Sequence, residues 1–148
     1  TWQTPSGGSV IDATVEVSSA EIKALNATPK TLIAAPAAGY MNILLSGIQV
    51  SLDYGGTAYA IGTTNNIRVK YKNGTGPSAT ELMLTTGFFD ATADQIGIMP
   101  QVITSAPMAA TNFAAQPIVL YCGFAGELTL GNGTLHIHFK YAVIPTGL

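Results

Sequence analysis

TLHIHFKYAVI, residues 134–144, decides how this chain folds. Its residues alternate with period two. Leu135, Ile137, Phe139, Tyr141 and Val143 fall on one side, and His136, His138 and Lys140 on the other. Successive side chains of a β-strand point to opposite faces, so the pattern predicts a half-buried strand with the apolar set inward. Gly131-Asn132-Gly133, just before it, is a turn signal.

The same period runs back through the chain. In VIDATVEV, residues 10–17, Ile11, Ala13, Val15 and Val17 share one face, and Asp12, Thr14 and Glu16 the other. IRVKYK, residues 67–72, places Ile67, Val69 and Tyr71 inward and Arg68, Lys70 and Lys72 outward, with Asn73-Gly74 following as a tight turn. YMNILLSGIQVSLDY, residues 40–54, reads as a long strand with a bulge or bend at Gly47. TLIAA (31–35), TAYAIG (57–62), TELMLTT (80–86) and the stretches IGIM, QVIT, QPIVLYCG and ELTL complete the set, with SAPMAATNFAAQP as a loop of small residues. Two short helical turns are expected. One has Ser18 and Glu21 at capping-box spacing, Ile22 and Leu25 on one side, and an end near Asn26. The other carries Ala91 to Gln95 behind Asp90 as N-cap. About eight to ten short strands with a turn signal roughly every ten residues predict an all-β sandwich or barrel. The expected organisation is an N-terminal arm, residues 1–9, and a single domain over 10–148.

Composition narrows the function classes. Charged residues make up 9% of the 148 and the net charge is −2, against about 25% charged in an ordinary soluble domain. The surface must therefore be built from Ser, Thr, Asn, Gln, Gly and Ala, which desolvate cheaply and suit packing against other chains. Nucleic-acid binding needs clustered cations, and the one cluster, Arg68, Lys70 and Lys72, reads as a solvated strand face. No apolar run of about 20 residues predicts a membrane-spanning helix, and no basic-then-apolar signal peptide opens the sequence. The single cysteine, Cys122, lies in an apolar run and reads as a buried, inert thiol. Asn73-Gly-Thr75 and Asn132-Gly-Thr134 have sequon spacing but are sufficiently explained as turns, and Pro29 disfavours modification at Asn26.

Few residues carry chemistry. His136 and His138 point the same way, roughly 7 Å apart at Cα, close enough to share a metal. Lys140 beside them opposes a cation, and no further His or Cys offers a third ligand. They are expected on an outer strand face or in a subunit contact. Asp90 and Asp94, four apart, could do acid–base work on a helix, but DATAD reads equally as a capped turn. There is no GxSxG elbow and no phosphate-binding loop. No catalytic, cofactor-binding or metal-binding residue is assigned, and no enzymatic activity is expected. The opening TWQTPSGG contains the only tryptophan, Trp2, together with Pro5. Two readings stay open for it: an arm docking elsewhere, or a strand cap inside the same domain.

Several segments resemble small structural proteins of tailed bacteriophages: the SSAEIKALNATP lead with TL and AAP after it, SLDYGGTAYA, FFDATADQI and the closing GNGTLHIHFKYAVI. The likeness runs from about Val17 to Ile144. It implies a virion component, a capsid decoration or cement protein. Such proteins are compact β-sandwich or jelly-roll units, often homotrimers, bound to the major capsid protein on the capsid exterior after synthesis in the host cytoplasm. The family has no catalytic residues to transfer, and no cofactor, nucleic acid or membrane is implied. Trp2, Pro5, His136 and His138 are the expected capsid or subunit contacts. The alternative is a tail-fibre or receptor-binding module recognising host glycan or protein, with exposed aromatics around Tyr54 and Tyr59.

Overall fold

The computed structural model describes residues 9–62, 66–102 and 108–148. Trp2, Pro5 and nearly all of the expected arm lie outside the described residues, as do Ile103 and Thr104 of QVIT and residues 105–107 of the small-residue loop. The strands are β1 (Ile11–Val17), β2 (Lys30–Ile33), β3 (Tyr40–Leu44), β4 (Ile48–Asp53), β5 (Tyr59–Ile61), β6 (Asn66–Tyr71), β7 (Met83–Leu84), β8 (Gln95–Met99), β9 (Ile118–Cys122), β10 (Leu128–Leu130) and β11 (Thr134–Pro145). A helix, α1 (Ser19–Ala24), and a 3-10 turn at Ala110–Asn112 accompany them.

All strand pairs are antiparallel. One sheet runs β1-β11-β4-β8, with β3 also on β11; the other runs β2-β9-β6-β7; β5 and β10 form a separate two-stranded pair. With β3 and β4 counted as one strand, and β5 and β10 set aside, the chain order of the remaining eight is 1-8-3-6 in one sheet and 2-7-4-5 in the other. That is the strand order of a jelly roll. The fold is an all-β sandwich, as the alternation predicts.

β11 is the hinge of this arrangement. On one edge it pairs with β1, from Ile11 opposite Tyr141 to Val17 opposite Leu135. On the other it pairs with β4, where Gln49 faces His138, and with β3, where Leu44 faces Tyr141. From Leu44 to Gln49 is five residues against three from Tyr141 to His138, so two extra residues bulge out around Ser46-Gly47. An even insertion leaves the alternation in phase. Asn42 and Leu44 before it, and Ile48, Val50 and Leu52 after it, all point inward.

Inward residues of both sheets make one core: Val17, Ile48, Val50, Leu135, Ile137 and Phe139 from one side, Ile67, Val69, Ile118 and Leu120 from the other. A buried polar tie joins the sheets. The Asn42 amide donates to Ala34 O (3.0 Å) and Gln116 O (3.3 Å), and Tyr71 Oη donates to Asn42 O (3.2 Å). Helix α1 closes one end with Ile22 and Leu25. Its capping box is complete: the Glu21 amide donates to Ser18 Oγ, and the Ser18 amide donates to Glu21 Oε2 at 2.9 Å. Lys30 Nζ donates to Glu21 Oε1 at 2.5 Å. That bond first, and then the Ser18 amide, hold the Glu21 carboxyl at about 2, below its ordinary 4.5.

Three expectations need correction. Ala91–Gln95 is not a helical turn. Asp90 Oδ1 accepts from the Gly87 amide at 2.6 Å and so closes the turn before it, where the Phe88 and Phe89 amides donate to Thr85 O. TELMLTT shrinks to the two residues of β7, because buried Thr80 turns its hydroxyl to the Val69 amide (3.1 Å) in place of a regular ladder. Along β11 the alternation slips after Phe139: Ala142 is buried, while Tyr141 and Val143 are half-buried.

Candidate functional site

The open face of the β1-β11-β4-β8 sheet follows from the pairing. Residues directly opposite on neighbouring strands sit roughly 5 Å apart, so the register lays out rows. One row runs Glu16, His136, Ser51, Ile96; the next runs Thr14, His138, Gln49, Ile98; Asp12 and Lys140 face each other in a third. His136 is half-buried and His138 exposed, both outward as expected from the period.

His138 Nδ1 lies 2.9 Å from Thr14 Oγ1, and Gln49 Nε2 donates to Ser51 Oγ at 3.3 Å. Asp12 and Lys140 approach to 3.9 Å, both well exposed, a pair that contributes little. Among the described residues no group of three or more His, Cys, Asp or Glu is placed to hold a metal. Thr14, Gln49 and Ser51 can exchange hydrogen bonds with a partner through uncharged groups, at low desolvation cost.

At its β8 edge the face becomes apolar. Ile96 is 73% exposed and Ile98 69%. The strand's phase is set from inside: Met99 is fully buried, and Gly97 faces inward because a Cβ there would stand 2.7 Å from Met83 Sδ and 3.4 Å from the Phe88 ring. With Met83 and Phe88 filling that space, both isoleucines are turned out. Reading IGIM as a short apolar stretch missed this, and only the phase fixed by Met99 reveals it.

The other candidates disperse. Asp94 Oδ1 accepts from the Tyr54 amide at 2.9 Å, so Asp90 and Asp94 each serve a different backbone amide and not each other. Cys122 is buried, and that burial pushes its thiol up, away from nucleophilic use. Tyr59 is a core residue whose hydroxyl donates to Gly133 O at 2.6 Å, and Tyr54 is half-buried, so the aromatics expected around a glycan platform do not gather at that loop. Asn73 Oδ1 accepts from the Thr75 amide (3.0 Å) within its turn, whereas Asn132 Oδ1 accepts from the Thr57 amide (2.9 Å) and so ties residues 131–133 to a loop distant in sequence instead of closing the expected turn. No protein-family profile matches the chain, and no curated protein is similar to it at a significant level.

Proposed function

We propose that the chain is a non-enzymatic virion protein that binds the outside of an assembled phage capsid and stabilises it, acting as a homotrimer on the major capsid protein. The observation that carries this reading is the pair of outward isoleucines, Ile96 and Ile98, on an edge strand beside a polar face. Exposed apolar side chains on an edge strand are an aggregation hazard unless something covers them. Covering each side chain contributes about 1.5–3 kcal/mol. The resemblance of the closing strand and the SSAEIKALNATP lead to phage structural proteins points to the same occupant. His136 and His138, in the middle of that face, are then contact residues; Trp2 and Pro5 in the arm are further contacts.

The work is thermodynamic. A protein that binds the assembled shell and not the free subunit stabilises the shell by mass action, and many copies of one modest interface add up through multivalency. Electron microscopy of particles carrying the chain tests the reading. Density is expected on the shell exterior, with the β1-β11-β4-β8 face against shell or neighbouring copies. Density confined to the tail would move the chain to the receptor-binding class.

A further inference from the structure

We propose that the outer face of the β2-β9-β6-β7 sheet holds a recognition site for a carboxylate side chain presented by a partner protein, built from Arg68, Lys70, Tyr121 and Phe124. The site lies on the opposite side of the sandwich from His136 and His138. It rests on the reading above only in taking the partner to be a protein.

Arg68 and Lys70 are two apart on β6, on one face, roughly 7 Å from each other. Among the described residues the ion pairs are Lys30 with Glu21 and Lys140 with Asp12, so neither of these cations has a carboxylate. Two like charges side by side without a counter-charge raise the free energy of the face. Arg68 Nη1 donates to Ser78 Oγ at 3.3 Å, while its Nε is enclosed and has no acceptor. Lys70 Nζ donates to Gly74 O at 2.6 Å and stands 5.3 Å from the centre of the Tyr121 ring. Burial and the Arg68 charge both lower the Lys70 pKa, another sign of an ammonium short of negative charge.

The surroundings are fixed in place. Gly74 lies so close to Tyr121 that a Cβ would stand 2.6 Å from a ring carbon. The Tyr121 hydroxyl donates to Gly123 O and receives the Asn26 amide, both at 3.4 Å. Beside the cations is a groove of about 210 Å³ lined also by Asn66, Gly123 and Phe124. That is smaller than the roughly 300–1,000 Å³ of pockets that enclose a drug-sized ligand, and it suits one side chain. Phe124, 57% exposed, offers an apolar rim for the residues next to the carboxylate. Two cations make one or two phosphate contacts, far short of the roughly six to ten of a duplex binder. A hydrogen bond from a guanidinium or ammonium to a carboxylate is charge-assisted and about twice as strong as a neutral one.

Nuclear magnetic resonance titration of the full, isotope-labelled chain tests this. The probes are a capped pentapeptide with a central glutamate, the same peptide with glutamine, glucuronate, and inorganic phosphate. The glutamate peptide is expected to give saturable shifts at residues 68–70 and 121–124, weakened by salt and absent with glutamine. Arg68→Gln and Lys70→Gln should each weaken binding about tenfold. Phe124→Ala, at an exposed position, should weaken it less and leave the spectrum otherwise unchanged, which keeps the test alive if the charge variants do not fold. No saturable shift with the glutamate peptide, or tighter binding of glucuronate or phosphate, overturns the proposal. A chain that binds this peptide but no shell keeps the site and loses the cement reading; the reverse loses only the site.

Discussion

On one outer face of the sandwich the rows mix polar and charged groups, Glu16 beside His136, Thr14 beside His138 and Asp12 paired with Lys140, with Ile96 and Ile98 at the edge. On the other, Arg68 and Lys70 stand together with no carboxylate among the described residues. Both faces come from the same alternation of inward and outward residues, and both sheets contribute apolar side chains to one core. What separates them is what each leaves uncovered. The first lacks an apolar cover, the second lacks a negative charge. A chain with so few charges has little reason to leave two cations adjacent and unbalanced unless a partner supplies the complement.

The contrast between undersides and outer faces can be broken by mutation. The largest effect belongs to the shared core. Ile137→Ala, at a fully buried position of β11, should cost about 2–5 kcal/mol in urea unfolding, as other buried Ile truncations do. A loss below about 1 kcal/mol would mean that β11 is not the centre of the core. Thr80→Val comes next. It keeps the side-chain volume but leaves the Val69 amide without its hydroxyl acceptor, for a cost of about 1–3 kcal/mol.

Ser18→Ala removes the cap of α1 and should cost about 0.5–2 kcal/mol. The Glu21 half of the same box adds a pH dependence. Because its folded pKa, about 2, lies below the ordinary 4.5, its contribution is complete above pH 4.5 and fades as pH falls from there towards 2. A Glu21→Gln chain should lack that part of the acid slope in thermal melts. An unchanged slope would remove the Lys30 and Ser18 bonds from the account. The smallest effect on folding is expected at the outer edge. Ile96→Ser with Ile98→Ser should change unfolding free energy by less than about 0.5 kcal/mol per site, yet reduce association in sedimentation runs. Lost stability with association intact would show that these side chains serve the fold and not a partner.

Much of this architecture is legible in the residues, and the reason is the strictness of period two. β1, β6 and most of β11 need no tertiary information: Val17, Val69 and Ile137 are buried where the alternation puts them, and the Ser18–Glu21 box is a purely local device. Gly47 marks a real break, although the two-residue size of the bulge depends on β11 opposite. Legibility ends where one side chain answers to another strand. Asp90 caps backward because Gly87 is within reach, and Thr80 replaces a ladder bond. The candidate faces divide in the same way. The outward histidines can be read from the sequence. The outward isoleucines cannot, because Gly97 yields its inward space to Met83 and Phe88 from elsewhere in the chain. The Arg68–Lys70 pair can be seen in IRVKYK, but its want of a carboxylate and its closure by Tyr121 can be seen only in three dimensions.

Co-sedimentation of the purified chain with assembled phage shells, beside the same shell protein kept unassembled, tests the central claim most directly. Saturable pelleting with shells, negligible binding to free subunits, and weaker pelleting by the Ile96→Ser, Ile98→Ser chain are the predicted result. Equal binding to both forms, or none to either, would contradict it.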